Sequence, residues 1–239
     1  MLVAAYNEAD RIEATLAALA SALPDATVWV ADDGSSDATA RLARRAGARV
    51  VRSERVIGKG SAVTLAAREA LGDGAARAVA AGDDGEEAGA TERREEARVF
   101  LLCDGDLAES AVHLAALVER VRVGEADLAV AAFSRRVGGG VGLARGFARW
   151  AIRRRCGAAT TAPISGQRAL REATLRDVLP FAHGFGMEIG MTIDAVRAGH
   201  RLVEVELDLA HHASGRTLGG FLHRGRQLVD FVRVYGARR

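Results

Sequence analysis

The chain has 239 residues, 49% of them hydrophobic and 27% charged, with a formal net charge of +2. These values exclude a wholly disordered chain and make no electrostatic case for nucleic acid, while the length suffices for one large domain with a buried core. Two cysteines, Cys103 and Cys156, are too few for a disulfide framework or a zinc–thiolate cage, and no apolar run approaches the roughly 20 residues of a membrane-crossing helix. No charged stretch followed by an apolar one opens the chain, so no signal peptide is expected, and a reducing, cytoplasmic setting fits.

Residues 2–5 read as a buried strand that ends in the polar loop Tyr6-Asn7-Glu8. Ile12, Leu16, Leu19 and Leu23 recur at helical spacing over 9–23, and Pro24 with Asp25 stops that helix. A second strand, 27–31, leads into Asp32-Asp33-Gly34-Ser35-Ser36-Asp37. Asp37 stands where it can cap a helix over 38–46 that ends at Gly47. A third strand, 49–52, is followed by Gly58-Lys59-Gly60 and a helix over 61–71. Residues 72–98 are rich in Gly, Ala, Asp and Glu without apolar periodicity and read as a mobile surface insertion.

A strand at 99–103 runs directly into Asp104-Gly105-Asp106; a helix over 110–123 and a strand at 127–132 come next. From Phe133 to Arg171 there are nine arginines and no acid, including a helix over 143–155 and the turn Ser165-Gly166-Gln167-Arg168. A helix within 184–198, a late strand at 202–209, His211-His212 and a basic amphipathic helix over 216–239 complete the order. Apolar strands alternating with amphipathic helices predict an α/β fold, a mainly parallel sheet flanked by helices in a single domain over 1–215.

Ligands of open α/β sheets sit beyond the carboxyl ends of the strands. Three such ends carry acids here: Glu8, Asp32 with Asp33, and Asp104 with Asp106. Carboxylates gathered at one edge repel unless a cation joins them, and hard oxygen ligands suit Mg²⁺ or Mn²⁺. Lys59 is the only lysine in an arginine-rich chain and sits between glycines. Glu188 lies among apolar residues, an expensive place for an unpaired acid.

Together, Val-Ala-Ala-Tyr-Asn-Glu-Ala, Val-Ala-Asp-Asp-Gly-Ser-Ser-Asp-Ala-Thr, Gly-Lys-Gly-Ser-Ala, Leu-Leu-Cys-Asp-Gly-Asp and Ser-Gly-Gln-Arg-Ala-Leu resemble the family 2 glycosyltransferases of the GT-A (Rossmann-like) fold. Within that family the chain resembles the polyprenyl-phosphate sugar synthases and is also similar to the glucosyl-3-phosphoglycerate synthases. The resemblance implies a nucleotide-sugar donor and a divalent metal cofactor. It places Ala5, Tyr6 and Glu8 along the base and ribose, and Asp32 as acceptor for the base imide N–H. Lys59 would lie beside the phosphates and Asp104 near the ribose or the metal. Asp106 and His211 would be metal ligands. Glu188 would be a general base or an acceptor-orienting group, and Gly166, Gln167, Arg168 and Arg216 would meet the phosphorylated acceptor.

Two acceptors fit, polyprenyl phosphate with inversion or a small soluble phosphate such as 3-phosphoglycerate with retention; the first is preferred. A nucleotidyltransferase would carry a Gly-rich loop after the first strand, where this chain has Tyr6-Asn7-Glu8. A non-catalytic nucleotide-sugar binder fits less well, since Asp106 and His211 are present. The terminal basic helix suits three uses: contact with an anionic membrane surface, packing on the catalytic domain, or a homodimer contact.

Overall fold

The computed structural model describes residues 1–80, 98–133, 142–209 and 234–237. Seven strands form one sheet in the order β3-β2-β1-β4-β6-β5-β7. They are β1 (Leu2–Ala5), β2 (Trp29–Asp32), β3 (Arg49–Arg52), β4 (Val99–Asp104), β5 (Leu128–Phe133), β6 (Arg168–Arg171) and β7 (Leu202–Leu207). All neighbours are parallel except β6, which runs antiparallel to both β4 and β5. The expected mainly parallel α/β sheet is therefore present.

Strand alternation assigns each side chain to one of two helix layers. Val3, Val30, Leu101 and Cys103 face α1 (Ile12–Ala22), α2 (Thr39–Arg45), a 3₁₀ segment (Ala108–Leu114) and α4 (Ala115–Arg122). Leu2, Ala31, Phe100 and Leu102 face α3 (Lys59–Ala80), α6 (Glu172–Val178) and α7 (Met187–Arg197). Ala62, Ala66, Ala67 and Ala70 make the sheet-facing side of α3 almost all alanine, so this helix lies close on the sheet. A third cluster joins α5 (Gly142–Cys156) to α7 through Ala148, Ile152, Ile189 and Ile193.

Three local departures from the sequence reading have physical causes. Helix α3 continues to Ala80 rather than stopping at Leu71, because Gly72 and Gly74 are carried by the alanine-rich run after them. The helix expected over 110–123 begins as a 3₁₀ turn and becomes α-helical only at Ala115. Strand β6 was not anticipated: Arg-Ala-Leu-Arg is short, ends in charges at both sides and looks like the tail of a loop. Residues 81–97 of the expected 72–98 insertion and nearly all of the terminal helix fall outside the described residues. Among the described residues no helix is long and apolar enough to cross a membrane.

Candidate active site

Adjacent parallel strands β2, β1 and β4 end in register, with Ala5 opposite Asp32 and Ala4 opposite Asp104. That alignment carries three acidic loops to one edge. They surround a cavity of about 250 Å³ whose lining includes Ala5, Tyr6, Glu8, Asp33, Lys59, Asp104 and Asp106.

The loops are tied together by their own polar side chains. The Asn7 amide N–H donates to Ser35 Oγ at 2.9 Å, and Ser36 N–H donates to Asn7 Oδ1 at 2.8 Å. Asn7 holds φ +55°, a left-handed conformation that asparagine tolerates. Glu8 N–H donates to Thr39 Oγ1, and Ala9 N–H to Asp37. Asp37 thus links the first loop to the second besides accepting the Thr39 N–H at the start of α2. The Asp104-Gly105-Asp106 turn has a separate anchor that sequence reasoning missed. Buried Thr15 of α1 donates to Gly105 C=O and accepts the Ala108 N–H, both at 2.8 Å.

Lys59 is the centre of the site. Its Nζ lies 2.7 Å from Asp104 Oδ1 and 2.8 Å from Glu188 Oε1. Burial works against the charged amine, but the two carboxylates outweigh it and hold Lys59 well above the ordinary lysine range. Asp33 sets the approach: its carboxylate accepts the N–H groups of Ile57 and Gly58 at 2.7–3.0 Å, fixing the turn that starts α3. On the far side the first turn of α3 presses against Ala182, where a Cβ on Gly60 would stand 1.9 Å from the Ala182 carbonyl oxygen. Gln167 Nε2 donates to Asp104 Oδ2 at 2.8 Å. A Cβ on Gly166 would lie 2.7 Å from both Asp104 Oδ2 and Lys59 Nζ, so only glycine leaves this ion pair undisturbed.

The structure thus brings together Ala5, Tyr6, Glu8, Lys59, Asp104, Asp106, Gly166, Gln167 and Glu188. It does not bring Asp32 to the cavity: Asp32 is fully buried, accepts the Ser35 N–H and faces Arg52 Nε at 3.2 Å, while Asp33 lines the wall. A base contact by Asp32 does not match that placement. Nor does Arg168 offer its charge to an acceptor. It is 1% exposed, and its guanidinium donates to Ser165 C=O and to Thr192 Oγ1, each at 2.8 Å. Arg168 stands on β6 between β4 and β5, which is why it is inside. His211 and Arg216 lie outside the described residues.

Negative charge is in excess around Glu8 and Asp106. Asp106 Oδ1 is buried and has no hydrogen-bond partner. Burial, and then the charges of Asp106, Asp104 and Asp37, push the Glu8 carboxyl up to about 7 against the opposing Arg11. Because this lies above the value of an unfolded glutamate, folding takes up a proton between about pH 4.5 and 7. Glu8 therefore costs stability increasingly as pH rises through that window, and by a constant amount above it. Replacing Glu8 by Gln is expected to raise the melting temperature of metal-free protein by about 2–4 °C at pH 8, after discounting for solvent screening of a half-exposed group, and to leave it unchanged at pH 4. Thermal unfolding at the two pH values checks this; an equal effect at both would remove the electrostatic account.

Known proteins resemble the chain over most of its length. The family model described as Glycosyl transferase family 2 matches residues 1–179. The chain is 28% identical to an undecaprenyl-phosphate mannosyltransferase of Micrococcus luteus, over 97% of this chain and 91% of that protein. It is similar to the crystal structure of glucosyl-3-phosphoglycerate synthase from Mycobacterium tuberculosis in complex with phosphoglyceric acid. That match has 25% identity and a TM-score of 0.66, and covers 98% of this chain and 79% of the other. The same enzyme with Mn²⁺, UDP-glucose and phosphoglyceric acid gives 25% identity and a TM-score of 0.65, over 98% and 78% of the two chains.

Proposed function

The chain belongs to glycosyl transferase family 2, and on that basis we propose that it transfers a hexose from a nucleoside diphosphate sugar to polyprenyl phosphate with inversion. The observation that carries the reading is the Asp104–Lys59–Glu188 chain of ion pairs, which joins the donor edge of the sheet to the helix α7 side of the site. The near full-length similarity to an undecaprenyl-phosphate mannosyltransferase supports the lipid acceptor. Helix α5 supports it too. It exposes Arg145, Arg149, Trp150, Arg153 and Arg154 and contains no acid, a composition suited to peripheral contact with an anionic bilayer surface.

Ala5, Tyr6 and Glu8 form one wall of the donor cavity, and Asp33 lines the position expected of Asp32. Lys59 is the cation beside the diphosphate. Glu188 is already paired with Lys59, and a phosphate acceptor arrives ionised and needs no general base, so Glu188 orients the bound sugar or acceptor. In the displacement an acceptor phosphate oxygen forms the new bond to the anomeric carbon as the bond to the diphosphate oxygen breaks, and the electron pair leaves with the nucleoside diphosphate.

Asp106 fits a divalent cation, because its buried Oδ1 lacks any partner and its neighbours are acids. Among the described residues no three His, Cys, Asp or Glu side chains form a ready cage; in this reading Asp106 would hold the cation together with His211 and the bound donor. When bound, such a cation neutralises charge on the leaving group.

Purified protein with Mn²⁺ and either UDP or GDP should melt about 5–10 °C higher for one of the two at saturating ligand. With the matching hexose donor and undecaprenyl phosphate in detergent, a lipid-extractable hexosyl phosphate is expected. Transfer to 3-phosphoglycerate alone would replace the acceptor and turn the reading to the soluble synthases. A nucleotide shift with no transfer to either would turn it to a binding protein.

A further inference from the structure

The geometry points to Glu204 as a positioning residue that holds the Gly166-Gln167 limb against the Asp104–Lys59 pair. Glu204 stands on β7, the outer strand of the sheet, opposite Val130 of β5. Its Oε1 accepts hydrogen bonds from Thr160 Oγ1, from Thr161 N–H at 2.9 Å and from Ala162 N–H at 3.0 Å. Its Oε2 accepts from Thr161 N–H at 2.9 Å and from Thr161 Oγ1. One carboxylate therefore gathers two backbone amides and two hydroxyls from three consecutive residues. Bonds of this kind are charge-assisted and directional. Burial alone would raise the Glu204 carboxyl, but these donors hold it below the usual range.

From this turn the hold passes along a short path. Ala162 C=O accepts the Ser165 N–H, and Ser165 Oγ donates to Gln167 Oε1, each at 3.2 Å. Gln167 Nε2 then reaches Asp104. The opposite side of the turn is held by Arg149 of α5, which donates to Thr161 C=O at 2.9 Å. Glu204 also opposes the burial that pushes the Arg168 guanidinium down to about 10. The tolerance at the end of the path is small. Gly166 has no room for even a methyl group beside Asp104 and Lys59, so a turn that drifts either presses backbone into the ion pair or opens it.

This role rests on the proposed function only in taking the Gly166-Gln167 limb as acceptor-facing. Glu204→Gln puts an amide N–H₂ among donors. With a short-chain polyprenyl phosphate as acceptor, its KM for acceptor should rise about tenfold, while the donor KM and the Mn²⁺-dependent nucleotide shift stay within about twofold. Glu204→Asp, which keeps the charge on a shorter stem, should fall between the two, and it carries the test if the Gln variant does not fold. Thr161→Val combined with Glu204→Gln should be no worse than Glu204→Gln alone, as members of one network behave. Hydrogen exchange gives a readout independent of turnover: amides of 160–167 should exchange faster in Glu204→Gln, with β1 and β2 unchanged. Unchanged exchange there, or equal changes in donor and acceptor KM, would overturn the positioning role. If the wild type transfers nothing to polyprenyl phosphate, the acceptor assignment fails, and hydrogen exchange still decides the role of Glu204.

Discussion

Asp106→Asn is expected to cut kcat by about 10³ and to abolish the Mn²⁺-dependent part of the nucleotide thermal shift, while leaving the metal-free protein folded and slightly more stable. Both halves have the same cause. In the metal-free protein Asp106 is a liability: its Oδ1 is buried without a partner, and its charge helps to push Glu8 up to about 7. Converting it to a neutral amide of the same shape removes that repulsion. It also removes the anionic oxygen that a dication requires, since the neutral amide of asparagine is a far weaker ligand. A structural aspartate would behave the opposite way, losing stability on substitution and keeping residual catalysis. Turnover in titrated Mn²⁺, measured alongside melting curves with and without metal, separates the two cases. Full metal-dependent turnover by Asp106→Asn would end the assignment.

The acidic edge was legible in the sequence because parallel strands deliver their C-terminal loops to one place. Three apolar runs, each ending in acids, put Glu8, Asp32 with Asp33, and Asp104 with Asp106 at one edge; of these the cavity is lined by Glu8, Asp33, Asp104 and Asp106, while Asp32 is buried behind it. The glycine-flanked Lys59 was legible for a different reason: it is the only lysine where arginine is otherwise always used. Its partner was not. Lys59 and Glu188 are 129 positions apart, and only the packing of α3 against α7 makes them meet. Strand β6 was illegible because its pattern is set by an arginine that is inside. The short Arg-Ala-Leu-Arg run looks solvated until Ser165 C=O and Thr192 Oγ1 are seen to take the guanidinium. The phosphate role of Arg168 came from the family resemblance, which says nothing of burial, and the misreading of this run hid the turn that Glu204 holds. Thr15 was missed because a threonine on the buried face of an amphipathic helix reads as a small apolar residue. Its hydroxyl is visible as an anchor only once Gly105 lies against it.

Lys59→Met should damage both activity and folding, lowering kcat/KM by about 10²–10³ and stability at pH 8 by about 2–3 kcal/mol. The stability figure lies between those for exposed and buried ion pairs, because the lysine side chain is 30% exposed whereas Glu188 is 9% exposed. Methionine preserves the stem and its packing but leaves Asp104 and Glu188 facing each other with Asp106 and Glu8 nearby. Without the ammonium the repulsion among these carboxylates is uncompensated, and Glu8, which burial and the charge of Asp106 already push up to about 7, is the group whose proton uptake relieves it. The deficit of the variant should therefore grow as pH rises through 7 and shrink below it. The melting-temperature difference from wild type, tracked from pH 4 to pH 8, reads this directly. A pH-independent difference would mean that lost packing, not lost charge, is responsible. Lys59→Arg should not restore activity: the ammonium sits where even a Cβ on Gly166 would come within 2.7 Å, and a planar guanidinium cannot occupy that space without displacing Asp104 or Glu188. In a chain that otherwise uses arginine for every basic position, this steric requirement is the physical reason for a lysine here.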